Sequence, residues 1–255
     1  MDTDLRAKRA SFRALHQEGC FVLPNPWDLG GIRRLEKAGF KALASTSAGA
    51  AWAIGRNDGE LSLDEVLTHL RFLSAATDLP INADFEAGFA DEPEDVAANV
   101  TLALDTGVAG LSIEDRTGRS LYELRLAVNR IKAAREAITK SGHDVILVAR
   151  SEGFLIGQTD LAATIERLVA YANAGADCLY APGIRDLSAM AELVSAVAPK
   201  PVNALLMGPE MRVASLADIG VRRVSTGGGL AAAAWRGFDD ALRLLIEKGT
   251  LPKRE

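Results

Sequence analysis

The feature that most restricts this chain is a regular alternation. Eight short apolar runs, at 21–25, 42–46, 81–86, 110–115, 145–152, 178–183, 201–205 and 223–228, are separated by stretches with amphipathic helical spacing. The runs are apolar at their start and too short for helices, the pattern of parallel strands buried on both faces. Helical periodicity occupies 29–38, 62–77, 93–106, 122–140, 161–174, 187–197, 212–219 and 231–248. Local signals agree with these bounds. Ser62 and Glu65 form a capping box, and Pro93 sits in the first turn of its helix. The segments KAGFKAL, DTGVAGL and NAGADCL repeat one unit of helix, glycine turn and strand. Uninterrupted strand–helix alternation implies a parallel sheet with right-handed crossovers. Eight units favour closure, so the expected fold is α/β, a (β/α)8 TIM-type barrel with an extra N-terminal helix across its bottom. An open doubly wound sheet would want a glycine-rich turn after its first strand, and NPWDLGG is a poor match to GxGxxG. No linker or shift in composition breaks the pattern, so residues 1–255 are read as a single barrel domain.

Composition narrows the function classes. Apolar residues make up 48% of the 255, enough for a large core. A net charge of −5 speaks against a nucleic-acid partner, which would need a basic face. No apolar run approaches the roughly 20 residues that cross a bilayer, so no membrane partner is expected. The first residues lack the apolar core of a secretory signal, and a cytoplasmic location is expected. Cys20 and Cys178 lack CxxC spacing and read as buried, reduced thiols. His16, His69 and His143 fall on outer helices or a loop and read as surface residues, so no Ser-His-Asp or Cys-His constellation is visible.

In an α/β barrel the site lies at the C-terminal ends of the strands. Those ends supply Asn25, Ser45, Thr46, Ser47, Asp84, Glu86, Glu114, Asp115, Arg150, Glu152, Tyr180, Asn203 and Thr226. Several carboxylates in one mouth repel one another and raise each other's pKa unless a cation or proton is shared. Asp84 and Glu86 alternate along NADFE, which points both to the same side; of Glu114 and Asp115, one faces inward. Asp58 lies in a long loop after the second strand, a length that marks functional loops. Hard oxygen ligands without a His or Cys cluster suit Mg2+, with Mn2+ as the alternative, bound directly by only one or two carboxylates. Arg150 emerges from the apolar run VILVA, where it either pairs with Glu152 or Glu114 or receives an anionic group of a substrate. The run STGGG at 225–229 reads either as a phosphate cradle or as tight packing at the rim.

Together these residues resemble the isocitrate lyase/phosphoenolpyruvate mutase superfamily over nearly the whole chain. LPINADFEAGF is similar to that family's metal-binding strand, usually D-A-D-x-G-[FY], with Glu86 as the second acid. GLSIED and VARSEGF resemble the motifs of its next two barrel strands, and Ser45, Thr46 and Ser47 resemble its substrate-holding loop. The resemblance implies that Asp84 binds Mg2+ directly, with Asp58, Glu86 and Glu114 acting largely through water. It also implies substrate contacts from Ser45, Thr46, Ser47, Asn203 and Arg150, and chemistry through a pyruvate-enolate-like intermediate with Arg150, Glu114 and Asp58 as its catalytic groups. One departure bears on substrate. The K-K-C-G-H loop of the isocitrate- and methylisocitrate-cleaving members is replaced by DRTGRSLYEL, without Cys or His, and the K-x-N-S signature of the phosphonate mutases is missing too. Glu114, Tyr122 or a metal-bound water could then supply a proton.

The leading expectation is a Mg2+-dependent lyase cleaving a C–C bond of a small 2-oxo or 2-hydroxy (di)carboxylic acid, by oxaloacetate-type decarboxylation or methylisocitrate-type cleavage. C–P bond chemistry at the same metal is the first alternative, and a metabolite-binding barrel without catalysis the second. The expected partners are a small carboxylate substrate and further copies of the chain, as a dimer or tetramer.

Overall fold

The computed structural model describes residues 3–253, so the two residues at each end of the expected domain lie outside the described part. Eight parallel strands carry the fold: β1 (Phe21–Leu23), β2 (Leu43–Ala44), β3 (Ile81–Asp84), β4 (Gly110–Glu114), β7 (Ile146–Arg150), β8 (Cys178–Tyr180), β9 (Val202–Leu205) and β10 (Arg223–Ser225). A separate antiparallel hairpin, β5 (Arg116–Thr117) and β6 (Ser120–Leu121), follows β4. The large sheet runs β1-β10-β9-β8-β7-β4-β3-β2. Its two ends approach each other where the Ala44 N–H donates to the Pro24 carbonyl at 3.0 Å, leaving an almost closed α/β barrel as the alternation requires.

The three helix–glycine–strand units behave as the sequence implies. Gly39, Gly107 and Gly175 have φ of +85°, +86° and +105°, a region in which a side chain is strained. At Gly175 a Cβ would also stand 2.6 Å from Arg135 Cγ. The capping box at Ser62 and Glu65 opens α4 (Leu63–Ala75), and Pro93 opens α5 (Pro93–Leu104).

Helix α1 (Thr3–Leu15) closes the bottom. Its Phe12 is fully buried against Leu23, Ala109, Ile146 and Cys178 inside the barrel. The larger core lies between the sheet and the outer helices. His16, just beyond α1, does not lie on the surface: it is 8% exposed, stacked edge-on against Phe12 and Phe21. A helix that serves as a plug buries the face that an outer helix would show to water. Cys178 is buried and Cys20 half-buried. Among the described residues no helix is long and apolar enough to cross a membrane.

Two segments differ from the expected bounds. The stretch after β2 winds into α3 (Ser47–Ala53), capped by the Thr46 side chain, and the strand expected to run to 152 stops at Arg150 before a 3-10 turn over Gly153–Ile156.

Candidate functional site

A cavity of about 200 Å³ opens at the C-terminal ends of the strands, and Arg150 is its hub. Strand pairing sets Arg150 beside Glu114 on β4 and Tyr180 on β8. Its Nη1 lies 2.7 Å from Asp84 Oδ1 and 3.0 Å from Glu114 Oε1, and its Nη2 lies 3.0 Å from Glu152 Oε1. The guanidinium also rests over the Tyr180 ring, 5.0 Å from its centroid. Burial works against this charge, but Glu114, Glu152 and Asp84 outweigh it and raise the pKa of Arg150 further.

Asp84 ends β3 and is held from several sides. Its Oδ2 accepts from the Ser47 N–H and hydroxyl, each at 3.1 Å, and its own N–H donates to Ser45 Oγ at 2.8 Å. The Ser47 hydroxyl also lies 2.7 Å from Asp58 Oδ1. A hydroxyl carries one proton, so it serves one of these acids at a time. The Thr46 hydroxyl accepts the Gly49 N–H at 3.2 Å and caps α3. In this structure all three residues are engaged with the protein, two of them with the acids.

Glu86 sits in a tight turn after β3. Its φ is +44°, a left-handed conformation uncommon for a residue with a side chain, and its carbonyl accepts the Glu114 N–H at 2.8 Å. Burial, then the negative charges of Asp84 and Asp58, push its carboxyl up to about 7. Glu114 is pushed up to about 8, chiefly by burial, with Arg150 pulling it back and Glu152 and Asp84 raising it.

This donor set suits a hard cation. The oxygens are carboxylates and hydroxyls, and Glu86 Oε1 is buried without a hydrogen-bond partner. Among the described residues no three His, Cys, Asp or Glu side chains converge as a ready-made metal site. A cation held directly by one or two carboxylates, with water in between elsewhere, is compatible with that spacing.

Asp115 faces away from the cavity. Its Oδ1 accepts the Glu152 N–H at 2.9 Å, and its Oδ2 accepts from the Tyr171 hydroxyl at 2.6 Å and from Arg167 Nη1 at 3.3 Å. This buried network fixes the backbone next to Arg150. Tyr122 also faces away, hydrogen-bonded to Asp91 and stacked on Arg130, so of the two side chains expected as proton donors Glu114 lies in the cavity and Tyr122 does not.

Of the sequence-derived residues, Ser45, Thr46, Ser47, Asp58, Asp84, Glu114 and Arg150 all line the cavity. Glu86 stands beside it, and Asn203 lies beneath, donating to Ser225 Oγ at 3.0 Å and accepting from Arg223 Nε at 2.8 Å. The glycine run is no phosphate cradle at its start, because the Thr226 and Gly227 N–H groups already donate to Asn25 Oδ1 at 3.0 and 2.9 Å. Strand ends alone missed the floor: Asn82, Ser112 and Arg223, each two positions before an inward residue at the rim. The period of two along a strand was the available signal. Arg116 on the β5–β6 hairpin was missed as well, and it lines the mouth.

Comparison with known proteins places this geometry in context. A sequence model of phosphoenolpyruvate phosphomutase matches residues 12–246. A crystal structure from Burkholderia cenocepacia J2315, provisionally described as a lyase/mutase, superposes with a TM-score of 0.95 at 44% identity, covering 97% of this chain and 91% of that one. The 2-methylisocitrate lyase of Escherichia coli K12 is 32% identical over 173 residues, 64% of this chain and 57% of its own. The oxaloacetate decarboxylase of Chromohalobacter salexigens is 29% identical over 250 residues, 92% of this chain and 84% of its own.

Proposed function

Because the chain belongs to the phosphoenolpyruvate phosphomutase family, within the isocitrate lyase/phosphoenolpyruvate mutase superfamily of enzymes, we propose that it is a Mg2+-dependent lyase acting on a small 2-oxo or 2-hydroxy dicarboxylic acid. The observation that carries this reading is the ring of Asp84, Glu114 and Glu152 around Arg150 at the mouth of the barrel cavity, with Asp58 on the same wall. Asp84 would hold the cation directly, with Asp58, Glu86 and Glu114 reaching it largely through water. When bound, the cation supplies positive charge to the substrate oxygen on which negative charge develops.

The chain's own residues do the rest. Arg150 balances the acids and presents its guanidinium to the substrate's anionic end. Ser45 and Ser47 fix Asp84, and the Asp115–Tyr171–Arg167 network fixes the segment carrying Glu152. In an oxaloacetate-type decarboxylation the C3–C4 bond breaks, its electrons pass to the C2 carbonyl as a pyruvate enolate, and CO2 leaves. C3 then needs one proton, and Glu114 is the acid positioned inside the cavity to give it. Breaking that bond needs no base, which agrees with a hairpin that carries Arg116 and Arg119 but neither Cys nor His.

The apolar face of α10 (Gly229–Lys248) supports assembly with further copies of the chain. Trp235, Phe238, Leu242 and Ile246 are 39%, 59%, 42% and 76% exposed, a stripe that favours burial against another surface.

The deciding experiment is Mg2+-dependent pyruvate release from oxaloacetate, methylisocitrate, dimethylmalate and phosphonopyruvate. Turnover of a C–C substrate, lost with EDTA, is the expected result. Turnover of phosphonopyruvate alone would move the reading to C–P chemistry, and silence throughout with no Mg2+ binding would leave a non-catalytic barrel.

A further inference from the structure

Beneath the acid ring lies a second charged group that the reading above does not use. Arg223 opens β10 and is 2% exposed. Its side chain reaches Asn82, one inward position below Asp84 on β3. Its Nε donates to Asn203 Oδ1 at 2.8 Å, and its Nη1 lies 3.2 Å from Asn82 Oδ1 and 3.4 Å from His16 Nε2.

Every one of these partners is neutral. Burial, then the charge of Arg223, push the His16 imidazole down to about 3. Its Nδ1 lies 2.8 Å from the Phe12 carbonyl, which can only accept, so Nδ1 carries the proton and Nε2 is left to accept from Arg223. The Cys178 thiol and Tyr180 phenol nearby are pushed up by burial to about 11 and about 12, so they too carry no charge at neutral pH, while Arg150 repels. Among the described residues no carboxylate forms an ion pair with Arg223. Yet Arg223 lines the cavity, with Asn82, Ser112 and Ser225.

Neutral acceptors solvate a guanidinium without cancelling its charge, and arginine does not escape by losing a proton. A buried cation in that state attracts whatever anion can reach it. We propose that Arg223 is a substrate-binding residue: the cavity floor receives one carboxylate of the substrate against the guanidinium, while the substrate's other end meets the acid ring and its cation. The site then selects dicarboxylates over monocarboxylates of similar size. This rests on the cavity's being the substrate site, and it is independent of which bond is cleaved.

The test is calorimetric binding of malonate, succinate and propionate to the full chain with Mg2+, for the wild type and for Arg223→Gln and Arg223→Lys. Losing a charge-assisted hydrogen bond corresponds to roughly ten- to hundredfold in affinity. Arg223→Gln should lose that much for the dicarboxylates and nothing for propionate, and Arg223→Lys should keep most of the preference. A purely structural tie between α1 and the barrel would instead weaken all three ligands alike, or none, and either pattern overturns the proposal. Should Arg223→Gln not fold, crystals of the unaltered protein grown with malonate decide. A carboxylate within hydrogen-bonding distance of Arg223 supports the assignment, and its absence from the floor overturns it. Failure of the lyase reading is separately visible, as dicarboxylate selection by Arg223 without turnover of any substrate in the panel.

Discussion

Two buried arginines in one barrel have opposite surroundings. Arg150, at the end of β7, meets three carboxylates; Arg223, at the start of β10, meets two amides and an imidazole. The first is neutralised by the protein and in turn keeps a crowd of acids in place. The second is solvated but left charged. The difference teaches that burial alone does not assign a role to a charged side chain. What matters is whether its partners cancel its charge or only share its hydrogen bonds, because the latter leaves the stronger field for a ligand to use.

The contrast can be broken first at the acid ring. Asp84→Ala removes the expected direct cation ligand, and metal-dependent turnover should fall by at least about a thousandfold, the scale of several kcal/mol of charge stabilisation. Circular dichroism should report an intact fold. Activity within tenfold of wild type would remove Asp84 from the site.

An effect of similar size, read on stability rather than on rate, is expected at the hub itself. Arg150→Met leaves Asp84, Glu114 and Glu152 without their shared cation, and removing one side of a buried ion pair costs about 3–5 kcal/mol. Chemical denaturation should register that loss, and added Mg2+ should restore part of it by supplying charge to the same acids. A variant as stable as wild type without metal would mean that the ring does not depend on Arg150. An unchanged KM in a folded variant would return Arg150 to a structural role only.

The pH dependence of stability sharpens the comparison most gently. Glu86 and Glu114 sit at about 7 and about 8 against 4.5 for an ordinary glutamate. The unfolded chain therefore releases these protons first as pH rises, and the native state is left holding more of them. Stability contributed by the two groups is present below about 4.5 and is lost on the way up to about 8. Thermal melts in EDTA should decline across this window, Glu86→Gln should flatten its lower part, and Mg2+ should shift the decline downward in size. Melting temperatures that rise between pH 5 and 8 in EDTA would contradict the burial assigned to these groups.

Much of the fold was legible because it is written in short-range terms. Strand periodicity, the Ser62–Glu65 capping box, Pro93 and the glycines after the helices are all set by neighbours within a few residues, and the structure keeps them. The strand-end rule likewise collected Ser45, Ser47, Asp84, Glu114 and Arg150 around one cavity, and the length of the loop after the second strand added Asp58. It failed where a side chain's partner lies far along the chain. His16 reads as a surface residue until α1 is seen to plug the barrel. Thr226 and Gly227 read as free donors until Asn25, some 201 residues away, accepts from them. Tyr122 reads as a candidate acid until its hydroxyl is found on Asp91.

The sequence by itself therefore determined the repeating strand–helix unit, the barrel that eight such units form, and the chemical type of the mouth, oxygen-rich and acidic. Those follow from local periodicity and from the geometric rule that barrel mouths collect the residues at strand ends. Which acids share Arg150, which way Asp115 faces, and that Arg223 stands beneath them with no carboxylate partner among the described residues were decided only by the tertiary structure. Ion pairing and desolvation depend on distances between residues on different strands, and closing the barrel is what fixes those distances.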